Sequence, residues 1–546
     1  MRVALINPPD PSSSGNSRLV PPLGLGYVAS FARRAGHHVD LYDLALDLQP
    51  TVEFLTSIGL LGDYDVYGLT SYTDSFAAAS ELAASLRLLN RQTKIVFGGY
   101  HVSLLHKETL RDCPEVDIVV RGEGEERFAE ILRILSLGSE DFSNVSSVTW
   151  RKSSGEIVAN TDDDFLLDQN VLPTPATDLT YGPKDYLNYF DWRLGVSRPS
   201  ISMVSSRGCP KRCTFCSIAV LNPLWRARSV SSLLNEIEER YIKSPFEHVF
   251  FQDANFFVKP TRSLEFSKAL REFNPAITWS GTATPDHIVK HPDVITELGT
   301  LNCAYIEVGI ESGNEASLAR YGKGNSVETN RRALQILESA GISVGLDFIM
   351  FEPEMTLEDL SKNIDFLKEF QLDAEWPAGI FFQELQMYPG TVARREFLRK
   401  TDTLCDDHLV PATRFFDQRV QSVFDYCTDY RRAFQAHTDE LIREFYRYLY
   451  HSMSGTQVSP EFTRISQESF AAVIRLRHLP LQLIEDIVRL VKGNASLTEF
   501  ATAMKRPVSL LFKANQQLAS LKSQIKQCDV PAQRFQRARN VEQSHV

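Results

Sequence analysis

No run of 18 apolar residues free of charge occurs in this 546-residue sequence, so no membrane span is expected. The best candidate, from Phe470 to Val491, is broken by Arg475, Arg477, Glu485, Asp486 and Arg489. The opening Met1-Arg2-Val3-Ala4-Leu5-Ile6-Asn7-Pro8-Pro9 is too short an apolar run for a signal peptide. There is no basic excess either. A net charge of -11 argues against a general nucleic-acid binder, whose footprint is basic. No internal repeat is present. Cysteine is sparse: of eight, Cys113, Cys303, Cys405, Cys427 and Cys528 stand alone and read as small buried apolar residues. With no secretory signal evident, a reducing, cytoplasmic setting is expected and fits these cysteines better than a disulfide framework. An apolar fraction of 43% and a charged fraction of 23% are those of a folded protein, and the length implies roughly two to four domains.

The remaining three cysteines lie together in Ser206-Arg207-Gly208-Cys209-Pro210-Lys211-Arg212-Cys213-Thr214-Phe215-Cys216, a C-x3-C-x2-C spacing. Three thiolates on one loop suit three irons of a cubane cluster, with the fourth iron left open to a small molecule. Zinc is the rival, but structural zinc takes four ligands, usually as two separated pairs, and no second Cys or His pair stands nearby.

Residues 1–150 alternate strand-like and helix-like runs. Val3-Ala4-Leu5-Ile6-Asn7, His38-Val39-Asp40-Leu41-Tyr42, Val66-Tyr67-Gly68-Leu69-Thr70, Lys94-Ile95-Val96-Phe97 and Asp117-Ile118-Val119-Val120 read as strands. Such alternation predicts an α/β, doubly wound parallel sheet, whose ligands sit at the carboxyl ends of the strands. Those ends carry Ser71, Gly98, Gly99 and Gly122. Residues 151–200 read as a linker, marked by Asp162-Asp163-Asp164 and Leu172-Pro173-Thr174-Pro175. A second series over 201–395 holds about six strand–helix units, from Ile201-Ser202-Met203-Val204-Ser205 to Gly379-Ile380-Phe381-Phe382. That is too few for a closed eight-fold barrel and predicts a partial one. Residues 396–546 read as helical, and the basic last 46 residues as a solvated helix and tail. The stretch from Phe415 to Tyr426 reads as helix core or as a pocket lining.

The cysteine loop, with Phe215 just before Cys216, resembles that of the radical S-adenosylmethionine (SAM) superfamily. The resemblance implies that Cys209, Cys213 and Cys216 hold a [4Fe-4S] cluster. Its open iron would chelate SAM, and cleavage there would yield a 5'-deoxyadenosyl radical. In Phe251-Gln252-Asp253-Ala254-Asn255-Phe256, Asp253 falls where the family contacts the SAM amino group, although it also reads as a helix cap. Val308-Gly309-Ile310-Glu311-Ser312-Gly313 matches the run whose acid or serine approaches SAM, with Glu311 alternatively an N-terminal helix acid. Gly345 begins the stretch to Met350 that would lie along adenine. Phe351-Glu352-Pro353-Glu354-Met355-Thr356 departs from the family's usual turn.

Pro21-Pro22-Leu23-Gly24-Leu25-Gly26-Tyr27, Gly98-Gly99-Tyr100-His101-Val102-Ser103 and Arg121-Gly122-Glu123-Gly124-Glu125 resemble the cobalamin-binding domain of B12-dependent radical SAM enzymes. Glu123 joins the implied cobalamin contacts. His101 either lines the corrin or is a satisfied structural histidine. Asp40-Leu41-Tyr42-Asp43-Leu44-Ala45 lacks the histidine that ligates cobalt in many cobalamin domains. The resemblance covers roughly residues 1 to 395 and implies a methyltransferase acting on an unactivated centre of a small molecule. The alternatives are a non-methylating cyclase or oxidase of the same architecture and, in another class, a cofactor-sensing module. A methylthio-transferring relative is disfavoured, because before Cys209 the chain has only Cys113. A reductant such as flavodoxin or ferredoxin is implied as partner, and a monomer or weak dimer is expected.

Overall fold

Strand–helix alternation builds two largely parallel sheets. The computed structural model describes residues 1–10, 21–47, 50–162, 168–182, 188–191, 196–372, 378–432 and 478–527, with single positions between 461 and 472. The first sheet contains β1 (Arg2–Asn7), β2 (His38–Asp43), β3 (Val66–Thr70), β4 (Lys94–Gly98), β5 (Ile118–Val120), β6 (Val148–Arg151) and β7 (Ile157–Ala159). Their order is β2-β1-β3-β4-β5-β6-β7. The first five strands are parallel, while β6 and β7 complete the edge antiparallel. The sheet therefore runs beyond residue 150 to Ala159, into the segment expected to be linker.

Period-two side chains explain why both faces are covered. Val3, Leu5, Val66 and Val96 enter one core with the Leu23–Arg34 and Glu125–Ser136 helices. Ala4, Ile6, Tyr67, Leu69, Ile95 and Phe97 enter the other, with the Phe76–Leu89 helix. Strand order reverses between β1 and β3, which leaves a crevice at the carboxyl ends of β1, β3, β4 and β5.

The second sheet has six strands: an edge strand, Asn188–Asp191, and five parallel ones, β8 (Val196–Met203), β9 (His248–Phe251), β10 (Thr278–Ala283), β11 (Cys303–Glu311) and β12 (Ser343–Phe348). They pair in chain order, as consecutive units of a partial barrel do. Buried Trp279, Phe251, Phe256, Phe257 and Phe266 stack behind β9 and β10. Gly379-Ile380-Phe381-Phe382, expected as a sixth strand, instead lies within a 3-10 helix, Ala378–Phe382. The N–H groups of both Met350 and Phe351 donate to one carbonyl, that of Gln383, so no ladder forms there.

The chain divides into two compact units. The first comprises residues 1–189, 199–348 and 384–413, and contains the first sheet and most of the second. The second comprises residues 190–198, 349–383 and 414–546. Within it, the Gln418–Tyr430 helix packs on Leu479–Lys492, and Phe351, Phe415 and Phe424 form a ring cluster. The aromatic stretch is thus largely core in this unit, with Phe416 exposed. The Leu497–Gln527 helix is the last described element, and the basic tail from 528 lies outside the described residues. Among the described residues, no helix is long and apolar enough to cross a membrane.

Candidate functional site

β8 ends at Met203 and delivers the cysteine loop. Gly208 precedes Cys209 at φ +82°, and a side chain there would strike the carbonyls of Asn222 and Leu224. The Cys209 N–H then donates to Asn222 O at 3.1 Å, so the loop is clasped by the segment that follows it. The three sulfurs are only partly exposed and none is in a disulfide. Burial pushes the Cys213 thiol up to about 11 and raises that of Cys216, so neither is a spontaneous thiolate; a metal must draw the proton off. Among the described residues, no three His, Cys, Asp or Glu side chains converge on a single ion position. In a cubane cluster each thiolate takes a different iron, and three free, partly exposed sulfur donors on one loop fit that chemistry.

Asp253, at the exit of β9, is buried against the stem of this loop. It accepts the Ser205 N–H at 2.7 Å and the hydroxyls of both Ser205 and Ser206. Burial raises its carboxyl, and the serine bonds draw it partly back. It does not cap a helix: Asn255 holds the N-cap position of the next turn. Asn255 also brings its amide Nδ2 to 4.0 Å from Cys209 Sγ. Sequence reasoning missed Asn255 because a single amide carries no spacing signal.

β11 ends at Glu311, a non-glycine residue held at φ +63° beside a register shift in the strand pairing. Its carboxylate takes the Lys323 ammonium at 2.5 Å, with both groups buried. The Glu315–Tyr321 helix is capped by Asn314, so Glu311 is not a helix-terminus acid. Ser312 accepts the Asn314 N–H at 3.1 Å. Gly345 lies under Tyr305, whose hydroxyl a side chain at 345 would strike, so an aromatic ring covers the backbone expected to face adenine.

At the other sheet, a cavity of about 350 Å3 opens at the strand ends. Gly98, Gly99, Gly122 and Glu123 line it from the first sheet, and Gly208 and Asn222 from the cysteine loop. Tyr72 and Tyr100 also line it, their rings stacked 6.0 Å apart at 18°. Gly99 has φ +101°, and a side chain there would come within 2.6 Å of Ser71 O and 2.8 Å of Ser71 N. Ser71 is fully buried, with no hydrogen-bond partner for its Oγ. A flat, glycine-floored crevice with an aromatic wall fits a corrin.

Glu123 lines the cavity, but its carboxylate is held by Arg226 at 2.7 and 3.0 Å and faces Arg207 at 3.6 Å. Arg207 also binds Glu125. Burial raises the Glu125 carboxyl and Arg207 more than reverses this, for a net lowering. These buried pairs tie the first sheet to the residue two before Cys209.

His101 has a hydrogen-bond partner at each ring nitrogen. Its Nδ1 meets Thr73 Oγ1 at 3.1 Å and its Nε2 meets His408 Nδ1 at 3.0 Å. Both ring nitrogens are engaged and none faces the cavity. Burial first, then His408 and Arg394, lowers its pKa to about 3. The unfolded chain binds this proton near pH 6.5 and the folded chain only near 3. Stability is therefore full above 6.5 and is lost as pH falls through that window, by up to about 1.4 kcal/mol per unit. Urea unfolding from pH 7.5 to 5 is expected to show this slope, and His101→Phe to flatten it.

A family model of the B12 binding domain matches residues 18–132, and one of the radical SAM superfamily matches residues 203–367. An uncharacterized methyltransferase of Pyrococcus horikoshii is 28% identical over 397 residues, covering 72% of this chain and 82% of its own. The anaerobic magnesium-protoporphyrin IX monomethyl ester cyclase of Rubrivivax gelatinosus is 23% identical, covering 70% of each. The solved structure of the cobalamin-dependent SAM radical enzyme OxsB, with aqua-cobalamin and SAM bound, aligns with a TM-score of 0.65 at 19% identity. It covers 93% of this chain and 83% of that one, and shows a shared fold.

Proposed function

We propose, from the premise that this chain belongs to the radical SAM enzymes that carry a B12-binding domain, that it transfers a methyl group from cobalamin to an unactivated centre of a small molecule. The observation that carries this reading is the cavity itself: strand ends of the first sheet and residues around the cysteine loop line one space. A methyl donor and a radical source need such proximity, because a short-lived substrate radical must meet the methyl group without diffusing.

When bound, the cluster and SAM supply a one-electron route to a hydrogen-abstracting radical, and the corrin supplies the methyl group. The protein's part is to bind and orient. Cys209, Cys213 and Cys216 hold the cluster. Asp253 acts as a positioning residue, fixing the strand exit through Ser205 and Ser206. Glu311 and Ser312 border the SAM side, where the Tyr305 ring lies over the backbone at Gly345. Gly98, Gly99 and Gly122 floor the corrin side, with Ser71 behind them. Glu123 acts through Arg226 and Arg207. No general acid or base is needed.

The cyclase relative keeps a non-methylating reading in view. Protein reconstituted anaerobically with iron, sulfide and cobalamin, then given SAM and a low-potential reductant, separates the readings. We expect 5'-deoxyadenosine together with S-adenosylhomocysteine whose release depends on added cobalamin. Formation of 5'-deoxyadenosine without cobalamin-dependent S-adenosylhomocysteine would replace methyl transfer with the cyclase or oxidase reading. Neither product would leave a sensing module.

A further inference from the structure

The Lys323–Glu311 pair is unusual in three ways. It is buried, with Lys323 only 6% exposed. It is built at a conformational cost, since Glu311 sits in the left-handed region where a non-glycine residue is disfavoured. It also needs an empty position beside it: a side chain at Gly309 would collide with Lys323 Nζ and lie 2.9 Å from Glu311 Oε1. Desolvating two charges to pair them contributes little stability by itself. The assembly therefore calls for another reason to exist, and its neighbours supply one.

The segment that presents Lys323 is strapped to the cysteine loop. Tyr321 O accepts the Thr214 N–H at 2.8 Å, and Arg320 O accepts the Thr214 hydroxyl at 3.0 Å. The Tyr321 ring packs edge-on against Phe215, with centroids 5.6 Å apart. A side chain at Gly322 would touch Thr214 Cγ2 at 3.3 Å and Arg212 O at 3.4 Å. Residues on both sides of Cys213 are thus docked on residues 320–322, and Lys323 follows directly.

We propose that Lys323 is an electrostatic tuning residue for the cluster held at Cys213, its ammonium favouring the one-electron reduced state, and that Glu311 positions and partly offsets that charge. The inference rests on the cluster assignment above. Reduction adds one negative charge to the cluster. A cation fixed nearby in a low-dielectric surrounding stabilises that charge, and a nearby carboxylate opposes it. The two halves of the pair should therefore move the cluster in opposite directions, which a purely structural salt bridge would not do.

The test is an EPR-monitored redox titration of the reconstituted full chain without SAM, with iron content measured alongside. Lys323→Gln is expected to weaken reduction about tenfold, a midpoint about 59 mV more negative for one electron. Lys323→Arg should stay near the wild type, and Glu311→Gln should move to more positive potential. Variants with full iron content and unchanged midpoints would overturn the proposal. If Lys323→Gln assembles no cluster, Glu311→Gln decides: a positive shift supports the proposal, and no shift or a negative one refutes it. Failure of the wild-type chain to take up iron would instead remove the cluster assignment beneath it.

Discussion

Cys213→Ala is expected to abolish the cluster and, with it, all formation of 5'-deoxyadenosine. Three thiolates are the whole protein contribution to the metal, so removing one frees an iron corner that no neighbour can take over. Among the described residues, no group of three His, Cys, Asp or Glu side chains stands ready to hold a metal ion in its place. Iron per chain should fall to background after reconstitution, and the cluster's visible absorption should be missing. The fold should survive, because Cys213 lies in a partly exposed loop outside the packed core, and its backbone contacts do not need the sulfur. Thermal unfolding of the apo-protein is expected to match that of wild-type apo-protein. Cobalamin uptake should persist, since the cavity floor belongs to the first sheet. Retention of iron at the wild-type level would dismiss the three-thiolate site.

Gly99→Ala is expected to do the converse: corrin binding is lost while the cluster assembles. At φ +101° and ψ 178° the backbone occupies a region open essentially to glycine alone. The added methyl would also meet Ser71 O at 2.6 Å and Thr70 Oγ1 at 2.8 Å. The β4 exit cannot yield locally, because the Ser71 N–H is bonded to Gly98 O and the His101 N–H to Ser71 O. Strain plus overpacking destabilises by about 2–5 kcal/mol, and the floor of the cavity shifts toward the corrin. Absorption spectroscopy after gel filtration reads corrin retention, and iron analysis of the same sample reads the cluster. Wild-type corrin retention in a folded Gly99→Ala protein would remove Gly99 from the cofactor floor.

Much of this architecture was legible from local pattern. Val3 to Ile6 alternate between two cores, as their period-two burial requires, and Cys209, Cys213 and Cys216 announce themselves by spacing alone. Errors arose where pattern and context part. Gly379-Ile380-Phe381-Phe382 has strand composition but no ladder partner. β6 and β7 extend a parallel sheet by an antiparallel edge, which no parallel repeat foretells.

Candidate site residues divide along the same line. Glycines at strand exits are recognisable because the backbone conformation they permit is a local property. The partners of charged and titratable side chains are not local. Glu123 meets an arginine 103 positions away, and His101 meets a histidine 307 positions away. Lys323 carried no motif, yet the fold sets it beside both a strained acid and the cysteine loop.

Residue order alone thus determined most of the elements, the trio of sulfur ligands and the two successive sheets, because hydrophobic period and short-range spacing are written within a few turns or strands. Tertiary structure alone decided which carboxylates stay available for a cofactor and which are already neutralised by an arginine or a lysine. Charge pairing depends on distance through space, and that distance is set only once the chain has closed on itself.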